Sequence, residues 1–141
     1  LTTDIIVGFP GETEEDFQES INMMKKIGFG HVHTFKYSER DGTRAVRYTD
    51  QVPEKLKNER SEIVRLLSEE IKIEYRSSFI GKSQTVIIEK SYKEFSSGYG
   101  EHYLPIKILN QSLPKNSSVK VNITGLEEGE DPWLIGIIND I

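Results

Sequence analysis

TTDIIVGFPGETEEDF, residues 2–17, is the stretch from which the rest of the chain takes its place. Ile5, Ile6 and Val7 form a continuous β-branched run, the pattern of a strand covered on both faces in a parallel sheet. The strand breaks at Gly8. Gly8, Pro10 and Gly11 then make a short turn whose absent or locked side chains allow close approach of the backbone to a ligand or a neighbouring strand. Thr13 follows as a helix N-cap, Asp16 approximates a capping box with it, and Glu14 and Glu15 complement the positive helix end.

Working outward, Phe17, Ile21, Met24 and Ile27 recur at helical spacing, so one face of this helix is built to lie on a sheet, and Gly28 suits a left-handed C-cap. Residues 31–37, HVHTFKY, are rich in β-branched and aromatic residues and predict the next strand. Strand, helix and strand joined by short connections make a βαβ unit with parallel strands and a right-handed crossover. Two such strands cannot bury both of their faces alone. The start at Leu1, three residues before a buried strand, adds the expectation that the chain is a fragment and that an N-terminal remainder of the same chain completes the sheet. Residues 38–43, SERDGT, form a polar loop at the C-terminal end of the second strand, where α/β folds bind their ligands.

Between Pro53 and Ile80 there is no internal proline or glycine, and Leu56, Ile63, Leu67, Ile71, Tyr75 and Phe79 mark a helical stripe. Such a helix is about 40 Å long, enough to connect two domains. Beyond Gly81 the period changes to two: residues 84–89, 103–109, 118–124 and 133–138 read as strands, while Ser97, Gly98 and Gly100 flank Tyr99 and no strand is assigned there. Four or five strands in so short a span predict a small closed antiparallel barrel, which avoids open edges. The expected division is therefore 1–50 for the βαβ part, 51–80 for the connecting helix and 81–141 for the barrel, an α+β chain.

The 141 residues are 35% hydrophobic and 29% charged with a net charge of −5, a globular composition that argues against non-specific nucleic-acid binding driven by charge. No apolar run approaches the roughly 20 residues of a membrane helix, and no signal peptide precedes the first strand, so a cytoplasmic protein without membrane association is expected. There is no cysteine, hence no thiolate to hold an iron–sulfur cluster.

With TTDIIVGFPGETEEDF followed by FKYSERDGTRA at residues 35–45, a long helix and a small β domain, the chain resembles the C-terminal part of radical S-adenosylmethionine methylthiotransferases. The resemblance implies that residues 1–50 end a radical S-adenosylmethionine α/β barrel. It also implies that residues 81–141 are a TRAM domain, an OB-like barrel that binds RNA. It further implies a full-length enzyme that uses S-adenosylmethionine and two 4Fe-4S clusters to add a methylthio group to a modified adenosine next to the tRNA anticodon. The cluster cysteines lie outside this stretch in that family, so the fragment binds neither cluster and is inert alone. GYGEHYLPIKI at residues 98–108 leans toward the threonylcarbamoyladenosine branch. The branches acting on isopentenyladenosine or on a ribosomal-protein aspartate stay open, as does a stand-alone RNA-binding adaptor.

The candidate sites follow. Gly8 and Glu12 are either cofactor-lining groups or parts of a tight strand-to-helix turn, and the resemblance favours the cofactor. Arg40 has a guanidinium fork suited to a phosphate or carboxylate, against a surface ion pair with Glu39 or Asp41. Lys90, Tyr99, His102, Tyr103 and Lys107 offer base stacking beside phosphate contacts in an RNA-binding reading centred on the tRNA anticodon stem-loop. Trp133 reads as core, and His31 and His33 as packed sheet residues without a third metal ligand.

Overall fold

A computed structural model describes residues 1–139; the last two residues of the expected 81–141 barrel lie outside that range. The chain divides into two compact units, Leu1–Lys72 and the remainder from Ile73, with the boundary inside a helix.

In the first unit, β1 (Thr2–Val7) and β2 (His31–Lys36) pair in parallel from Thr2 with His31 to Val7 with Lys36. Helix α1 (Glu14–Ile27) crosses between them. Its start is the capping box expected from the sequence: the Asp16 N–H donates to Thr13 Oγ1 at 3.1 Å, and the Thr13 N–H donates to Asp16 Oδ2 at 2.9 Å. Its end is Gly28 at φ 66°, donating to the Met24 carbonyl. Ile5 and Val7 from β1, Val32 from β2, and Phe17, Ile21 and Met24 from α1 form one core with Val64 and Ile71 of α2 (Glu54–Ser77). The opposite sheet face is uncovered within the described residues, with Ile6 and Phe35 about half exposed, as two strands alone require.

The buried stripe of α2 differs in part from the expected one. Leu67, Ile71, Tyr75 and Phe79 do pack on a core, but Ile63 points outward, and the buried line of the first turns runs instead through Lys57, Arg60, Val64 and Ser68. Two long cationic stems thus stand in for apolar side chains, and each lies on an aromatic ring: Lys57 over Tyr37 and Arg60 over Phe17.

The second unit is a closed barrel in the order β3 (Ser83–Ser91), β4 (Phe95–Tyr99), β5 (Pro105–Leu109), β7 (Leu134–Ile138), β6 (Ser118–Leu126). Strand β4 replaces the break read at residues 97–100; Gly98 lies so close to the Ile87 carbonyl of β3 that a Cβ would stand 1.8 Å from that oxygen. A ring with an odd number of strands cannot alternate direction all the way round. One neighbouring pair must run parallel, and here it is β5 with β7, a contact the expectation of an antiparallel barrel did not contain. Inward-facing Val86, Ile88, Ile106, Ile108, Val121, Ile123 and Leu134 are almost wholly shielded from solvent, and Tyr75 and Phe79 pack against them. Arg76 joins the last turn of α2 to the β6–β7 loop, donating to the Pro132 carbonyl at 2.6 Å and pairing with Asp131 at 3.0 Å. Among the described residues no helix is long and apolar enough to cross a membrane.

Candidate nucleic-acid interface

The first unit presents its groove where the two strands end. Residues 8–12 turn sharply there, with Gly8 at φ 72° and Gly11 at φ 87°. Three of the turn's N–H groups are spent within the protein: Gly8 N–H goes to Glu12 Oε1 at 3.0 Å, Gly11 N–H to the Asp50 carbonyl at 2.9 Å, and Glu12 N–H to the Phe9 carbonyl at 2.9 Å. Arg60, 3% exposed, donates to the same Glu12 Oε1 at 2.7 Å and to the Glu12 carbonyl at 3.0 Å. The space a Cβ would take at Gly8 is filled by the Lys57 stem. Gly8 and Glu12 therefore hold the loop in shape from its inner side, and the group it presents outward is Phe9, set edge-on to Tyr37 and Tyr48. Phe9, Ile6, Phe35 and Tyr37 line a largely apolar groove of about 380 Å³, with exposed Arg40, Ser38 and Thr43 at its margin. The Arg40 carbonyl is bound by the Thr43 N–H and hydroxyl, which fixes the loop. His31 and His33 meet edge to face at 4.3 Å on β2. No group of three or more metal-ligating side chains occurs among the described residues. With no cysteine in the sequence, nothing in this stretch fits an iron–sulfur cluster, whereas an apolar groove edged by a guanidinium fits a nucleoside carrying an anionic group.

On the barrel, the outer face carries a row of rings. Tyr92 lies on Phe95 at 4.6 Å between centroids; Lys107 stands over both Phe95 at 5.4 Å and Trp133 at 5.7 Å; Trp133 is 6.2 Å from Tyr99; and Tyr99 stacks on Tyr103 at 4.6 Å with planes 14° apart. Alternation along β4 puts Phe95 and Tyr99 outward, and small Ser97 between them leaves room for Lys107, its partner on β5. Lys107 is held by Glu127 at 2.7 Å, and the other oxygen of that carboxylate accepts the backbone N–H of Trp133 at 3.1 Å.

The structure thus brings Tyr99, Tyr103 and Lys107 together and separates two other candidates from them. His102 turns toward Phe79 at 4.9 Å, and Lys90 lines a different groove with Glu89, Lys115 and Asn116. Trp133, read as core, is half-buried within the row. Tyr92 and Phe95, which bracket the β3–β4 turn, are the ring positions that the sequence reading passed over, because the loop-like composition of residues 95–99 gave no strand signal there.

No protein-family model matches the chain. Curated relatives do. Threonylcarbamoyladenosine tRNA methylthiotransferase MtaB of Thermotoga maritima is 40% identical over 130 residues, covering 92% of this chain and 30% of the relative. A tRNA-2-methylthio-N(6)-dimethylallyladenosine synthase of Caldicellulosiruptor saccharolyticus is 44% identical over 137 residues, 96% of this chain and 29% of the relative. The chain matches the C-terminal region of the methylthiotransferases. The MtaB of Bacillus subtilis is 39% identical over 87% of the chain and 28% of its own length, so this methylthiotransferase region spans somewhat under a third of each of these relatives. Relatives named for two different modified adenosines match with similar identity, so similarity over this region does not separate those two substrates.

Proposed function

We propose that this methylthiotransferase region supplies the RNA-reading part, and one wall of the reaction chamber, of an enzyme that adds a methylthio group to a modified adenosine of tRNA. The observation that carries the reading is the row of rings on an OB-like barrel in a chain with close relatives named for tRNA methylthiolation. The barrel, a TRAM domain in this reading, holds the anticodon stem-loop through Tyr99, Tyr103 and Lys107, with Trp133 beside them. Lys90 and His102 stand apart from that row and add contacts only where the RNA extends beyond it.

S-adenosylmethionine and two 4Fe-4S clusters supply the radical and sulfur chemistry of the whole enzyme. This chain holds neither cluster, since it offers no thiolate. Its own part is positional. Gly8 and Glu12, locked by Arg60 and Lys57, fix the loop that carries Phe9 into the groove, and Arg40 binds an anionic group of the substrate at the groove's margin. The open sheet face bearing Ile6 and Phe35 supports this reading over a self-contained adaptor.

The test is a chimera in which this chain replaces the matching region of the Thermotoga maritima relative. Nucleoside analysis of tRNA exposed to the chimera should detect a methylthio-modified adenosine. A folded chimera with its clusters loaded and no such product overturns the proposal.

A further inference from the structure

Two properties of the barrel's outer face bear on the kind of RNA it takes. One is the rings. Tyr103 is 76% exposed and held at φ 57°, a backbone region that costs a bulky residue energy, with its N–H on the Gly100 carbonyl at 3.0 Å. That turn sets one face of the Tyr103 ring on Tyr99 and leaves the other open to solvent. The other property is charge. Residues 81–141 contain six lysines against eight acids. The lysine within the row, Lys107, is already neutralised by Glu127, whose second oxygen is fixed by the backbone N–H of Trp133.

A duplex hides its bases and offers a protein its phosphates and 2′-hydroxyls, so holding one requires unspent cations. An unpaired strand offers the faces of its bases, which stack on aromatic rings whatever the sequence. We infer that the row from Tyr103 to Phe95 takes unpaired nucleotides, stacked with Tyr103 as the outermost platform, and that ring contact rather than phosphate neutralisation carries the affinity. The inference rests on the RNA reading of this same site and narrows it to single-stranded RNA. Lys107 keeps the rings apart and in place, and Glu127 positions Lys107.

The experiment titrates the full chain with a short oligoadenylate and, separately, with a blunt RNA duplex, following the fluorescence of Trp133, the one tryptophan. The oligoadenylate is expected to quench Trp133 and to bind roughly tenfold or more tighter than the duplex. Raising salt from about 50 to about 200 mM should weaken it by less than about tenfold, the release of only one or two counterions. Tyr103→Asn, which tolerates the left-handed backbone but removes the ring, should weaken binding by about five- to a hundredfold, and Tyr103→Phe should leave it unchanged. Duplex bound as tightly, with a steep salt dependence, or oligoadenylate binding indifferent to Tyr103→Asn, overturns the stacking inference while the RNA reading stands. Absence of binding to both RNAs at low salt overturns the RNA reading and the inference together.

Discussion

Arg60 is the residue on which the shape of the first unit's 8–12 loop depends. Its guanidinium is almost fully buried and bonds both the carboxylate and the carbonyl of Glu12. Removing one member of a buried pair leaves the other charge uncompensated, so Arg60→Met should destabilise the unit by about 3–5 kcal/mol in urea unfolding. Glu12→Gln added to it should recover a good part of that loss, because the neutral amide oxygen still accepts the Gly8 N–H. A double variant no better than the single would mean that Glu12 is not what the guanidinium compensates. Gly98 is the corresponding residue of the barrel. A methyl group at Gly98 collides with backbone rather than with a movable side chain, so Gly98→Ala should cost at least about 1–3 kcal/mol and show as lost amide protection on β3 and β4.

At the scale of the element, the start of α1 makes a pH prediction with a definite sign. The Thr13 N–H, then the Thr13 hydroxyl, and more weakly Arg60, hold the Asp16 carboxyl below the ordinary carboxylate range against a smaller opposing effect of burial. Because the folded value is the lower one, this contribution to stability is full above the ordinary range and is lost as pH falls through the lowered value. An NMR titration of Asp16 should show the depressed value, and Thr13→Val should move it part of the way back up, since the backbone donor remains. Unchanged titration in that variant would leave the hydroxyl without a role.

Elements whose signal is local were legible in the sequence. The β1–turn–α1 unit, its caps at Thr13 and Gly28, and the alternation in β6 could all be read from neighbouring residues. Strand β4 could not, because FSSGY has the composition of a loop; what makes it a strand is the near contact of Gly98 with β3, a relation between distant residues. The N-terminal half of the α2 stripe was misread at Ile63 for a related reason, while Leu67, Ile71, Tyr75 and Phe79 pack as expected. Lys57 and Arg60 look like a solvated face until Gly8, Glu12 and Tyr37 are seen to lie under them. The candidate site shows the same division. Tyr99, Tyr103 and Lys107 could be named from residue type alone, while the place of Trp133 beside them depends on the parallel contact of β5 with β7.

For the whole molecule, the two cores share no residue: one gathers side chains between Ile5 and Ile71, the other between Tyr75 and Ile138. Damage to one is therefore expected to be read out locally. Ile123→Ala, at a position 1% exposed, should cost the barrel about 2–5 kcal/mol. Hydrogen exchange should quicken along β3 to β7 while the amides of β1 and α1 keep their protection. Equal loss of protection in both units would show them to unfold as one.

Strand β7 is the keystone of the ring, bonded to β5 on one side and β6 on the other. Without it the remaining strands are a linear ribbon in the order β5, β4, β3, β6, with both flanks unpaired. A truncation after residue 133 therefore does more than shorten the chain. It converts a self-sealing ring into a ribbon with two adhesive sides, each a template for pairing with another chain.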